Sequence, residues 1–209
     1  MIADHYLEKP IAGISDCEKE AHLNLLPDSY FAENAVGEIV LHMQMVHDLL
    51  NRITDADSVG TLIPIINWRE DAESPVAIAT IVTWDRVGLF HKLAASFFYA
   101  GYSIKSARAI SREDNIAIDT FVISPRDQEN FSEHYARQIF EEGLNKKLAS
   151  TDFGDSKLDE LVETLESGDR ESSNPDAKQL SPKVEVYEEI SKRKAIVETH
   201  SADTPGLLY

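Results

Sequence analysis

The chain has 209 residues, 43% hydrophobic and 8% aromatic, enough to bury a core and too apolar for wholesale disorder. Its 20 Lys and Arg stand against 37 Asp and Glu, a formal net charge of −17, which argues against nucleic acid or an anionic lipid surface as a partner. The longest apolar runs, such as 76–83, are too short to span a bilayer, and no signal-peptide pattern opens the sequence. A lone Cys17 excludes an intramolecular disulfide and a cysteine-built zinc site, so a reducing cytoplasm is the expected location.

Residues 1–22 are polar and weakly patterned, with Pro10 and Gly13, and read as a loose leader to a helical linker segment over 23–75. Within that segment Val36, Ile39, Val40, Met43, Val46, Leu50 and Ile53 predict a helix over 35–53, with Asn34 as its N-cap and Asp55 to Gly60 as its stop. The β-branched run 76–84 predicts a buried strand. Residues 88–100 predict a helix closed by Gly101 in the left-handed conformation. Two strand-like runs follow, 102–111 and 116–124, joined as a hairpin through Arg112, Glu113, Asp114 and Asn115. Asp127 is the expected cap of a helix carrying Phe131, Tyr135, Ile139, Leu144 and Leu148.

Residues 76–149 thus read β-α-β-β-α. Leu158, Leu161, Val162 and Leu165 predict a short helix from Ser156, and 168–182 has the composition of a linker. Between Asp152 and Glu189, 12 acidic residues face 4 basic ones, the mark of a solvated surface. Strand-like pieces at 183–187 and 195–202 follow. The first is short enough to supply the fourth strand of the preceding unit.

An internal repeat is the most specific feature. Residues 78–90 lie over 196–208 without a gap, setting Asp85-Arg86-Val87-Gly88-Leu89-Phe90 over Asp203-Thr204-Pro205-Gly206-Leu207-Leu208. Each copy follows a β-branched strand. The second has only its first strand and cannot bury a core, so the chain is expected to be truncated or to pair that strand elsewhere.

A strand ending in Asp, then Gly, then an apolar helix presents unpaired backbone N–H groups to an anion. Gly88 allows close approach to the backbone, and Asp85 can cap the helix or accept from an ammonium group. Donors for a carboxylate beside an acceptor for an amine suit a free amino acid. The bland alternative is that Asp85 merely caps and Gly88 merely turns.

These residues resemble an ACT domain, the small ferredoxin-like regulatory module that commonly binds amino acids. Asp85 to Phe90, then Gly101-Tyr102-Ser103-Ile104 with Ala107-Arg108, then Ile118 to Val122, are similar to the first ACT domain of the bifunctional uridylyltransferase and uridylyl-removing enzymes of the bacterial PII nitrogen-signal protein. Asp203 to Tyr209 resembles the start of that family's second ACT domain. Leu26 to Phe31 and Glu38 to His42 resemble the segment joining its HD hydrolase domain to the ACT pair. Two departures are plain: Val87 replaces the family's usual proline after Asp-Arg, and Thr204 replaces arginine in the second copy.

The resemblance implies an α+β, ferredoxin-like fold (β-α-β-β-α-β, an antiparallel sheet with two helices on one face) over 76–149. The acidic helix and linker over 150–182 have no counterpart placed in that family; the last strand and the start of a truncated second ACT domain would follow over 183–209. It also implies glutamine as the sensed ligand, held by Asp85, Val87, Gly88 and Leu89 with Asp203 and Gly206. The implied partners are a second ACT domain and, only through a full-length parent, PII. No cofactor is implied.

No catalytic residue and no metal site are assigned. The family's nucleotidyl-transfer chemistry needs a Gly-Ser turn with paired aspartates, and no Gly-Ser dipeptide occurs. His47-Asp48 is the only His-Asp dipeptide; His42 lies five residues earlier, poor spacing for one helix face, and a solvated face is the better reading. His91, beside Phe90 on the helix, reads as a partly buried polar neighbour or as the rim of the ligand site, not as a catalyst. His5, His22, His134 and His200 are too scattered for ligand spacing. Asp119 stands out as an acid on an apolar strand that neighbouring backbone can satisfy. The competing expectation is a non-binding dimerisation module whose acidic tract contacts a basic partner.

Overall fold

A computed structural model of the chain describes residues 10–55, 63–70, 76–149, 183–189 and 194–200. These fall into two units, residues 10–149 and the strands within 183–200. The expected helix from Ser156, the linker 168–182 and the repeat positions Asp203 and Gly206 lie outside the described residues.

Three helices open the first unit: α1 (Asp16–Asn24), α2 (Asp28–Glu33) and α3 (Val36–Asp55). Helix α1 corrects the expectation of a loose leader through residue 22. Ser15 Oγ accepts from the Glu18 N–H at 3.3 Å, and Glu18 Oε2 accepts from the Ser15 N–H at 2.8 Å. This reciprocal box satisfies two of the amides a helix start leaves open, and it lies in a stretch with little apolar periodicity. Asn34 also departs from expectation. Its own N–H and its Nδ2 both donate to Tyr30 O, so it closes α2 instead of opening α3. Helix α3 buries Ile39, Met43, Val46 and Leu49, while Val36 in its first turn is exposed.

The sheet follows: β1 (Ile65–Glu70), β2 (Ala77–Trp84), helix α4 (Leu89–Tyr99), β3 (Tyr102–Ser111), β4 (Ile116–Pro125) and helix α5 (Glu133–Ala149). Strands β3 and β4 form the expected hairpin, with Asn115 at φ 63° in its turn, and Gly101 at φ 86° makes the expected left-handed exit from α4 into β3. Helix α5 starts six residues beyond Asp127. That aspartate accepts from the Glu129 N–H and Asn130 Nδ2, closing a local turn, so it caps no helix. Phe131 therefore reaches the core from ahead of the helix.

The strands run β1-β2-β4-β3, every neighbour antiparallel. This is the α+β arrangement expected, a four-stranded antiparallel sheet with two helices on one face. The fourth strand, however, is β1, which precedes the unit in the chain, and 183–187 does not supply it. β5 (Lys183–Glu189) pairs with β6 (Lys194–His200) in a separate two-stranded sheet.

Strand parity explains the layers. Ile66 and Trp68 of β1, Ala79 and Ile81 of β2, and Phe121 and Ile123 of β4 face α4 and α5, packing on Leu93, Phe97, Phe140 and Leu144. The opposite parity, Ile65, Val82, Ile116 and Ile118, packs on α3 and on Tyr30 of α2. Trp68 fixes β1 at the edge. Its ring meets those of Phe140, Phe97 and Tyr102 at 5.3–6.1 Å, and its Nε1 donates to Glu141 Oε1 at 3.2 Å. No helix among the described residues is long and apolar enough to cross a membrane.

Candidate functional site

The turn from β2 into α4 brings Asp85, Val87, Gly88 and Leu89 into one short loop at the end of the sheet. Gly88 sits at φ 76°, ψ 10°, a left-handed conformation that a side chain would strain, and it precedes the helix as N-cap. No side chain caps α4, and its first turn carries no acidic residue. The positive end of an 11-residue helix thus points out of this turn. Leu89 is buried in the core and its N–H already donates to Arg86 O at 3.1 Å, so it anchors the turn instead of facing outward. Val87 is 79% exposed at the tip.

Asp85 does not cap the helix. Its N–H donates to Asn115 O at 2.7 Å, and its Oδ2 accepts from Ser111 Oγ at 2.5 Å. Both partners belong to the far end of the β3–β4 hairpin. The carboxylate is therefore drawn over the end of the sheet, beside the helix terminus and not across it. One reading of the motif, in which Asp85 only caps, is thereby removed.

A second acid shares this face of the sheet. Asp119 on β4 lies opposite Ile81 on β2 and Ala109 on β3. Burial first, and then the nearby Asp85 charge, push its carboxyl up to about 7 against the pull of a backbone hydrogen bond from Ile110. The sequence marked Asp119 as a buried exception satisfied by neighbouring backbone, and the bond to Ile110 is that contact. Neither Asp119 nor Ser111 was a sequence candidate for the site. Only the strand register brings them to it.

The turn is also tied to the end of α5. Arg86 Nη1 donates to Leu148 O at 3.0 Å, and Lys92 Nζ donates to Lys147 O at 2.7 Å. Two cations from the turn and from α4 thus meet the last carbonyls of α5, where the helix dipole favours positive charge.

On the opposite face of the sheet lies a buried polar group with no counterpart in the sequence reading. Tyr30 OH lies 3.1 Å from His22 Nε2 and 2.8 Å from His42 Nδ1, and Arg112 Nη1 lies 3.3 Å from His22 Nδ1. Burial, with the Arg112 charge adding to it, lowers His22 to about 3, and burial lowers His42 to about 4. Both rings are neutral over the ordinary pH range. A cavity of about 40 Å³ between α1 and α3 is lined by Glu18, His22, His47 and Arg112 among apolar side chains, water-sized room and no more. Of the expected solvated helix face at His47-Asp48, Asp48 is exposed, whereas His47 is half-buried and bonded. Its Nδ1 lies 2.5 Å from Glu18 Oε1, and its Nε2 lies 2.7 Å from Asn51 Nδ2. Hydrogen bonds from Ser15 and then His47 hold Glu18 down at about 2. Among the described residues no three His, Cys, Asp or Glu side chains are grouped to hold a metal ion.

No family model matches the sequence. Curated proteins do. A bifunctional uridylyltransferase/uridylyl-removing enzyme of Erythrobacter litoralis is 23% identical over 192 residues, covering 90% of this chain and 19% of that protein. Its counterpart from Rhodospirillum rubrum is 26% identical over 214 residues, 98% of this chain and 21% of the relative. The enzyme of Gluconobacter oxydans is 24% identical over 174 residues, 80% and 16% respectively. This chain is similar to the bifunctional uridylyltransferase/uridylyl-removing enzymes. It spans about a fifth of the length of the curated relatives it matches. The resemblance seen first at the Asp85 turn therefore extends over most of the chain.

Proposed function

We propose that this chain is a regulatory amino-acid-sensing module of a PII-related nitrogen-regulation protein, with glutamine as the ligand. The observation that carries the reading is the turn itself. A left-handed Gly88 and an uncapped helix N-terminus offer donors to a carboxylate, and Asp85, held aside by Ser111, offers an acceptor to the ammonium group. The likeness to the bifunctional enzymes supports the PII-related part of this reading, and glutamine is the ligand that the ACT resemblance of the turn implies. Uridylyl transfer to PII and its reversal belong, in this reading, to a full-length parent and not to these residues. Asp203 and Gly206 would complete the same kind of turn in the second repeat.

The test is a thermal-shift series with all twenty amino acids, followed by calorimetric titration of the responders. A ligand at one hundred times its dissociation constant adds about 2.7 kcal/mol of stability. Glutamine alone, or glutamine most strongly, is expected to raise the midpoint, and a flat response to all twenty would sink the proposal. A second reading, pure self-association, has one observation in its favour. β3 is the outer strand of its sheet, ten residues long and exposed from Lys105 to Ala109, an open edge on which a second copy can add its own strand. A concentration-dependent dimer with no ligand response would select that reading.

A further inference from the structure

The four residues that turn β3 into β4 touch both faces of the molecule. On one side Asn115 O accepts from the Asp85 N–H, and Ser111, the residue before the turn, donates to the Asp85 carboxylate. On the other side the Glu113 N–H donates to Leu25 O at the end of α1, and Arg112 reaches His22. Within the turn the Arg112 N–H donates to Ile116 O at 2.8 Å and the Asn115 N–H to Arg112 O at 3.1 Å. The hairpin end is thus one closed piece gripped from both sides.

The direction of the hydrogen bonds beyond Arg112 follows from chemistry. A guanidinium only donates, so His22 Nδ1 accepts and its proton sits on Nε2. That proton goes to the Tyr30 oxygen, which leaves the Tyr30 hydroxyl proton for His42 Nδ1. His42 then carries its own proton on Nε2, a buried atom with no partner among the described residues. The reverse arrangement is blocked while Arg112 stays in place, because it would set an N–H on His22 Nδ1 against the guanidinium. Should the turn withdraw and admit water, the file can reverse: His22 Nδ1 takes a proton from water, the two shared protons each move one place along the file, and His42 gives up its Nε2 proton to water, so that Nε2 changes from an unmet donor to an acceptor. Such a file has two discrete arrangements, which is what carries coupling between distant sites. Arg112 is held by Asp114 through Nε at 3.0 Å and Nη2 at 2.7 Å, so it moves with the turn. The charged groups acting on His42 are Glu38 from its own helix, Arg69 from β1 and Arg108 from β3.

We propose that the β3–β4 turn couples occupancy of the Asp85–Leu89 turn to the helical layer α1–α3, through a one-way hydrogen-bond file running Arg112, His22, Tyr30, His42. The ligand half of this statement rests on the amino-acid-sensing reading; the file itself does not.

The experiment is NMR of the whole chain with ¹⁵N-labelled histidine, which reports the tautomer of each ring. His22 and His42 are both expected as the Nε2–H form, and either ring found as Nδ1–H overturns the file. Glutamine is then titrated into the wild type and into Tyr30→Phe, which removes the middle hydroxyl and keeps the ring. Shifts at both histidines in the wild type, with the His42 shift lost in Tyr30→Phe, support the coupling. By linkage the variant's glutamine affinity then changes by about fivefold or more. Glutamine binding that leaves both rings unmoved overturns the coupling and leaves the sensing reading intact. If glutamine does not bind, the sensing reading fails and a ligand-free arm decides the file. Ser111→Ala, an exposed change, frees the Asp85 carboxylate from the hairpin. A shift at His22 then supports the coupling, and an unmoved His22 signal overturns it.

Discussion

Asp119 makes stability depend on pH in a way that one substitution isolates. Its carboxyl is held at about 7 in the folded chain against an ordinary value of 3.8. The folded state therefore holds a proton between those values that the unfolded state has released. Stability from this group is complete below about pH 4 and is lost as pH rises to 7 and beyond. Integrating over pH 5 to 8 gives a loss of roughly 2–3 kcal/mol at about 1.4 kcal/mol for each unit of pKa. Asp119→Asn keeps the shape and an oxygen for the Ile110 N–H, and it carries no charge at any pH. The two proteins should be of nearly equal stability only below about pH 4, and at pH 5 the variant should already be the more stable by about 1–2 kcal/mol. Between pH 5 and pH 8 its advantage should grow by those 2–3 kcal/mol. Urea unfolding of both proteins at pH 5, 6, 7 and 8 measures the difference, in which the titrating groups that do not interact with Asp119 cancel. A difference that stays constant across the range would falsify the placement of a buried, protonated acid beside Asp85.

Four further outcomes are expected, the last argued at the close. His22 and His42 are buried neutral with pKa values near 3 and 4 against 6.5 unfolded, so their contribution is full above pH 6.5 and falls as pH drops; each costs about 2 kcal/mol between pH 7 and 5. His22→Gln should flatten that acid limb in urea titrations, and an unchanged limb would speak against neutral burial. Trp68→Ala removes a ring packed on Phe97, Phe140 and Tyr102, and should cost about 3 kcal/mol with loss of near-ultraviolet dichroism. Gly88→Ala places a Cβ at φ 76° and should cost about 1–2 kcal/mol in urea while weakening glutamine in calorimetry; retained stability and affinity would show that the turn relaxes freely.

What could be read in the sequence was what is local. The strand 77–84, the turn 85–88, the helix after it and the hairpin 102–125 each carry their own periodicity and punctuation, and each stands where expected. The box between Ser15 and Glu18 was equally local and equally legible, but the polar composition of the leader hid it. Strand β1 was harder to see. Ile66 and Trp68 alternate with Asn67 and Arg69, a period of two in only six residues. Its polar positions make sense only beside α3, whose Glu38 accepts from Arg69 at 2.7 Å. Asp85 was found through the repeat, yet its partner Ser111 is 26 residues away and becomes visible only once β4 lies between them. His22, Tyr30 and His42 stand on three helices at spacings of 8 and 12, which match no single-element pattern. Tertiary contacts alone collect them.

The identity of the fourth strand decides what the rest of the chain has to do. In a β-α-β-β-α-β unit the strand after the second helix must return beside the first strand, or a sheet edge stays open over the core. Here that position is taken before the unit begins, with β1 in register on β2 from Ile65 opposite Val82 to Glu70 opposite Ala77. Arg137 of α5 pairs with Glu70 and Glu133, and Trp68 bonds Glu141, so the same helix that would have delivered a returning strand clamps the one already there. The strands 183–189 and 194–200 correspondingly pair with each other. Residues 10–149 should therefore need nothing downstream to close their sheet. A chain ending at residue 150 is expected to unfold in urea as one cooperative transition, with a midpoint close to that of the first unit in the whole protein. A broad transition, or loss of near-ultraviolet dichroism from Trp68, would mean that the closed sheet depends on residues beyond α5.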